Sequence, residues 1–413
     1  MKYNTYENKK SFFPTHTKKI SNYKKETDVF VVYTYIIAAL IMAIALPYEY
    51  LSTTLYYIIV ILTSVMFAGL AQNSRTPFFF NLYLFLSFLV LFFTYGFRNF
   101  SAIDDSSYIN IFNSVSEIGW YDYFLNSTME PGYLILNKFV NLFTNDYLFM
   151  QLTTSFIPLF LFYLGFKRYK DMISMPIAVF SLCTMLYFQM LSVALIRMFI
   201  AISIVFIAFY YIPKRKPIQY ILLIFLASMF HYSALFLIIL TYFAINKTNL
   251  SKKVARTYLI LFITTPFIFI FIAKYIVPML GSRYSAYGSI ESIDVNISTF
   301  TTVPLLLFLL FFYKKFTGEK QLYFKLFLMV YALSIVISLF GGMIGLGRLI
   351  FYSYTFFILA VAMVGKLLIR NSKKLLYTGL IVSYGFLYVY VTQFTLDQHI
   401  PYLFPYENVF FTL

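Results

Sequence analysis

Arg98, Arg197, Arg283 and Arg348 stand beside or inside long apolar runs, and Asp104, Asp105, Glu130 and His231 lie in segments close to the same runs. An arginine in a hydrocarbon setting must snorkel, pair or face a wet cavity. Its planar fork binds a phosphate or a carboxylate through two parallel hydrogen bonds. A carboxylate or a neutral imidazole beside it can take the proton of a hydroxyl. Tyr108, Trp120, Tyr133 and Tyr352 add flat aromatic faces for sugars. A glycan carried on a lipid diphosphate would need these three kinds of group.

The local settings differ. Arg98 ends Gly96-Phe97-Arg98, and Glu130-Pro131-Gly132-Tyr133 follows in the same polar segment, where Gly132 after Pro131 suits a tight turn. Carboxylates on loops are ordinarily solvated, which is the first reading for Asp104, Asp105 and Glu130. Tyr133–Phe143 reads as a short amphipathic helix on the outer interface, with Asn137, Lys138 and Asn141 on its wet side. Arg197 is about one turn into an apolar helix. Arg348 follows the glycines of Gly341–Gly347, which allow close backbone approach. Arg283 lies on a loop, and His231 sits between apolar stretches, where an ionisable group is costly. His399 and His16 need no function. Cys183 stands alone, which excludes an intrachain disulfide and a cysteine cluster. No metal-ligand spacing and no Ser-His-Asp order stand out, so neither a metal nor a cofactor is expected.

These residues must be positioned by a membrane. Of 413 residues 61% are hydrophobic, 22% aromatic and 12% charged, against about 25% charged in soluble domains. A helix needs about 20 residues to cross a hydrocarbon core of about 30 Å. Suitable runs are Val29–Leu46, Leu51–Ala71, Phe78–Phe97, Leu148–Phe166, Ile173–Met190, Val193–Ile212, Tyr258–Val277, Ile297–Tyr313, Leu322–Phe340, Leu349–Leu368 and Leu375–Phe394. The expected fold is an all-α polytopic bundle over 29–394.

The net charge of +16 comes from short basic clusters between runs. They follow the positive-inside rule and do not indicate a nucleic-acid partner. Residues 1–28 read as a cytoplasmic Lys-rich tail with no cleavable signal. The loops 98–147 and 278–296 and the tail 395–413 read as external, in a bacterial plasma membrane. Between Lys216 and Lys247 only Tyr220–Ile245 intervenes. As one straight helix it would be about 39 Å long, and as two helices each would be too short to cross. A re-entrant hairpin over 220–245, with His231 near its tip, keeps both flanking clusters inside. Outside there remain Arg98, Lys138, Arg197, Lys274, Arg283 and Arg348. Anion binding is a reason for them to be there.

At these positions the chain resembles the EpsG family, the Wzy-like polymerases of exopolysaccharide and capsule. Gly96-Phe97-Arg98 with Asp104 and Tyr108 looks like the family's G-x-R…D-x-x-x-Y, and Glu130–Tyr133 like its E-x-G-Y. Ile196–Ala201 is similar to L-R-Q-x-x-A, with Met198 in place of Gln. Phe230–Ala234 looks like F-H-x-S-A, Gly347–Tyr352 like R-L-x-x-Y, and Pro405-Tyr406 like a terminal P-Y. The resemblance implies a GT-C-like multi-helix glycosyltransferase with an outward-facing site. Donor and acceptor would be undecaprenyl-diphosphate-linked oligosaccharides. Chain-length regulator and flippase proteins are the further expected partners, beside the bilayer. Asp104, Glu130 or His231 would serve as base; Arg98, Arg197, Arg283 and Arg348 would hold the diphosphate. A flippase of lipid-linked sugars and a membrane sugar O-acyltransferase are the competing readings. The first calls for inverted repeats, which the two halves do not show.

Overall fold

The computed structural model describes residues 51–99, 104–115, 119, 129–187, 190–191, 194–240, 264, 271, 275, 297–341, 349–368, 371–390 and 406–412. The 1–28 tail, the run Val29–Leu46, most of Tyr258–Val277, and Trp120, Arg283 and Arg348 lie outside the described residues.

The described chain is a helical bundle. In order it runs α1 (Leu51–Asn73), α2 (Pro77–Gly96), α3 (Asp105–Ser114), α4 (Pro131–Asn141), α5 (Tyr147–Tyr169), α6 (Met175–Leu182), α7 (Ile196–Ala208), α8 (Pro217–Ser228), α9 (Ile297–Leu310), α10 (Gly318–Gly341), α11 (Ile350–Leu367) and α12 (Asn371–Val389). Two short strands, β1 (Glu407–Asn408) and β2 (Phe411–Thr412), pair antiparallel. Among the described residues four helices are long and apolar enough to cross a membrane: α1, α2, α5 and α11. Shorter apolar helices, Met175–Tyr187, Ile196–Tyr211 and Pro217–Ser228, accompany them.

Local chemistry sets the helix ends. Thr76 caps α2 by accepting from the Phe79 amide, with Pro77 at the first position. Asp146 caps α5, and Lys167 and Arg168 fall in its last turn, as the helix dipole favours. Inside the bundle helices approach through small polar residues. The Ser64 hydroxyl donates to the Ser87 carbonyl at 2.9 Å, and Ser87 donates back to the Ser64 carbonyl at 2.7 Å. Such pairs hold helices together where lipid removes the hydrophobic drive between them. At the centre α7 is buried along its whole length. A helix apolar on all sides belongs in the middle of a bundle.

Helices α5 and α7 run parallel. Tyr147 and Met150 cluster with Ala194 and Ile196 at one end; the Tyr169 and Tyr210 rings meet at 5.6 Å at the other. That second end collects basic side chains. Arg168 lies over the Tyr211 ring at 5.4 Å, and Lys214 bonds Glu319 at 2.8 Å. The shared direction of both helices puts the first end, with Arg197 and the 98–147 segment, about 34 Å away along α5.

After α8 the chain turns at Met229–His231 and folds back as a 3-10 helix over Tyr232–Leu240. The Tyr220 hydroxyl donates to the Leu237 carbonyl at 2.5 Å, across the turn. Helix α4 corrects the amphipathic reading. Asn137 and Lys138 are buried, whereas Ile135, Phe139, Leu142 and Phe143 are exposed. Lys138 Nζ donates to the Val115 carbonyl at 2.6 Å and so satisfies the C-terminal end of α3. The polar face points into protein because backbone carbonyls there need donors.

Candidate active site

Helix α3 turns Asp105, Tyr108 and Phe112 onto one buried face. Their spacing of three and then four residues is that of one helical stripe. Asp105 meets Arg98, whose Nη2 lies 2.6 Å from Oδ1, and Tyr108 meets Arg197, whose Nε lies 3.4 Å from the hydroxyl. One short helix therefore serves both arginines.

Arg197 is the second residue of α7, nearer its start than the apolar run suggests. The chain enters α7 through Ala194, which has φ 53°, and a tight turn in which the Ile196 amide bonds the Ala194 carbonyl at 2.6 Å. A non-glycine residue in this region costs about 1–3 kcal/mol. The strain lets the helix begin with Arg197 facing the 98–147 segment. There its Nη1 pairs with Glu130 Oε2. Both residues are buried, at 8% and 2% exposure. Glu130 is extended before Pro131, as a residue preceding proline prefers. The reading of Asp105 and Glu130 as solvated acids is thus corrected. Each is the counter-charge of an arginine that the bundle has already desolvated, and an unpaired charge there would be expensive.

Tyr133 packs edge-on against Tyr108, with ring centroids 5.5 Å apart. The Gly132 amide donates to the Met229 carbonyl at 2.7 Å. A Cβ on Gly132 would lie 2.8 Å from that oxygen, so only glycine permits the approach. This contact joins the Glu130 segment to the turn bearing His231. His231 Nδ1 and Ser233 Oγ are 2.6 Å apart, and Ser233 Oγ and the Tyr352 hydroxyl 3.2 Å. Tyr232 and Tyr352 both lie within electrostatic range of Glu130.

Of the residues singled out in the sequence, Arg98, Tyr108, Glu130, Tyr133, Arg197, His231 and Tyr352 form one continuous region. Asp104 is half-buried at the start of α3, and its neighbour Asp105 holds Arg98. Arg98 is turned inward. Its Nη1 donates to the Tyr95 carbonyl at 3.2 Å and its guanidinium lies 4.7 Å from the Tyr95 ring centroid. Burial works most strongly against its charge, but Asp105 together with Tyr95, Tyr147 and Tyr187 holds the guanidinium above its ordinary range. Ser233 and Tyr406, which the sequence offered only inside the F-H-x-S-A and P-Y resemblances, belong to this region as well, and so do Gln151 and Asn408, which the sequence did not single out. Gln151 Nε2 donates to the carbonyls of Gly96 at 2.9 Å and Arg98 at 2.8 Å.

The family model of the EpsG family matches residues 81–407, a stretch that contains all of these groups except Asn408. The chain belongs to the EpsG family. No curated protein and no solved structure matches it significantly. Membership associates this EpsG-family chain with polysaccharide polymerisation, which is the activity of a membrane glycosyltransferase. The match begins within α2 and ends at Glu407, so it spans both ends of the Arg98 region.

Proposed function

We propose that this EpsG-family protein polymerises undecaprenyl-diphosphate-linked oligosaccharide repeats into exopolysaccharide or capsule on the outer face of a bacterial plasma membrane. The observation that carries the reading is the buried Glu130–Arg197–Tyr108 cluster, placed at the end of the bundle opposite Arg168 and Lys214. By the positive-inside rule the Arg168 end is cytoplasmic, and the cluster then faces outwards. In this reading 220–245 is a re-entrant hairpin that returns to the cytoplasmic side.

In the reaction an acceptor hydroxyl attacks the anomeric carbon of the growing chain, and undecaprenyl diphosphate leaves. Glu130 takes the hydroxyl proton as the attack proceeds; Arg197 engages Oε2, and Oε1 is the oxygen we assign to the acceptor. A positioned base of this kind is worth about 10²–10⁴-fold. Arg197, with Arg348 and Arg283, neutralises the departing diphosphate, where a fixed cation in a water-poor site acts most strongly. His231, steadied by Ser233 and Tyr352, is the alternative proton acceptor. Arg98 braces the site through Asp105. Tyr108, Tyr133 and Tyr352 offer faces to the sugar.

Deletion in the native host tests the reading. Loss of long glycan with accumulation of single repeats on the outer leaflet is expected. Repeats trapped on the inner leaflet would overturn it in favour of a flippase.

A further inference from the structure

The segment around Arg98, just after α2, is held from two sides. On one side stands Gln151 of α5, which bonds the carbonyls of Gly96 and Arg98. On the other lies the hairpin at 406–412. Arg98 and Asn408 form an antiparallel bridge. The Asn99 amide donates to the Glu407 carbonyl at 2.8 Å, and the Val409 amide donates to the Phe97 carbonyl at 2.9 Å. The Asn99 side chain adds a bond to Glu407 Oε2 at 2.6 Å, between residues 308 apart in sequence.

Tyr406 anchors this hairpin. It is buried, and its ring stacks on Tyr56 with centroids 4.5 Å apart. Its hydroxyl donates to the Thr94 carbonyl at 2.9 Å and accepts from Asn408 Nδ2 at 3.0 Å, and its amide bonds Thr53 Oγ1 at 3.0 Å. Tyr406 therefore ties α1, the end of α2 and the hairpin into one unit.

We propose that Tyr406 and the hairpin it anchors are positioning elements of the active site, setting the backbone of Arg98 and, through the Arg98–Asp105 pair, the α3 face that carries Tyr108 to Arg197. The inference rests on the polymerase reading above. Tyr406 makes its hydrogen bonds to Thr53, Thr94 and Asn408 and packs on Tyr56 and Tyr57, and none of these five is assigned to the chemistry. Its loss lets Arg98, and with it Asp105, relax away from their places. A displacement of about 1 Å in such a constellation costs about a hundredfold in rate.

The test is a reversible lock. Asn99 and Glu407 face each other across the pair, and directly opposed, hydrogen-bonded residues have Cα atoms about 5.5 Å apart, within disulfide range. Cys183 is buried in the core and out of reach. The full chain carrying Asn99→Cys and Glu407→Cys is expressed in the native host, with and without Tyr406→Ala, and polymer length is read under oxidising and reducing conditions. Tyr406→Ala alone is expected to lose about a hundredfold of polymerisation, and Tyr406→Phe less. In the triple variant, oxidation restores polymer and reduction abolishes it. A disulfide that does not form means that the hairpin is not docked, and overturns the proposal. A disulfide that forms without restoring polymer shows that Tyr406 acts by some other route, with the same consequence. If the unmutated chain makes no polymer, the function itself fails; if it polymerises and Tyr406→Ala polymerises equally, only the positioning role does.

Discussion

Replacing Glu130 with glutamine separates what this residue does for the fold from what it does in the reaction. The change keeps the shape and one hydrogen bond to Arg197 and removes the charge. Arg197, at 8% exposure, is then a buried cation without its counter-charge. Removing one partner of a buried pair costs about 3–5 kcal/mol, and replacing both by apolar groups is often neutral. The retained hydrogen bond returns about 0.5–1.5 kcal/mol, so Glu130→Gln should destabilise by about 2–4 kcal/mol. Adding Arg197→Met should recover most of that loss. Polymerisation behaves differently, since both variants lack the base and should fall by about 10²–10⁴-fold. Thermal unfolding of the purified protein in detergent measures the first quantity, and the ladder of glycan lengths in the native host measures the second. Long polymer from Glu130→Gln would refute the assignment of the base. A double variant no more stable than Glu130→Gln would refute the account of the ion pair.

Three further outcomes are expected. Gly132→Ala pushes a methyl to 2.8 Å from the Met229 carbonyl. It should cost about 1–3 kcal/mol by overpacking, seen as a lower melting temperature and shorter polymer; an unchanged protein would show that the two segments do not dock. Arg197→Lys and Arg348→Lys keep the charge and lose the planar fork, so both should insert normally and make mostly single repeats, and normal polymer from both would remove bidentate phosphate recognition. His231→Gln keeps hydrogen bonding to Ser233 without a useful base. With Glu130 as the base, near-normal polymer at normal protein levels is expected, whereas severe loss of polymer would move the proton to His231.

The bundle was legible in the sequence because hydrophobic runs report helices directly. Phe78–Phe97 became Pro77–Gly96 and Leu148–Phe166 became Tyr147–Tyr169. Much of the candidate site was legible too, because charge near hydrocarbon needs a reason. The choice between Asp104 and Asp105 was not. Both lie near Tyr108 at helical spacing, and the side that faces Arg98 depends on where α3 begins. The direction of α4 was inverted because polar faces were assigned to water, while Asn137 and Lys138 bond the carbonyls of Tyr133 and Val115. Tyr406 was visible only through the Pro405-Tyr406 resemblance, which does not say what it holds. Gln151 gave no signal at all, because its partners are backbone carbonyls, which every residue type possesses.

The Arg197 cluster is assembled from segments 67 and 89 residues apart. In water, contacts so distant make folding slow, because loop closure precedes any reward. In a bilayer, helices insert first and associate afterwards, so insertion has already restricted the intervening loops when α3, α4 and α7 meet. Reaching the membrane and acquiring a working centre are then successive events. A variant can complete the first with normal abundance and topology and still fail at the second. For this protein, abundance in the membrane is no measure of how many molecules carry a finished centre.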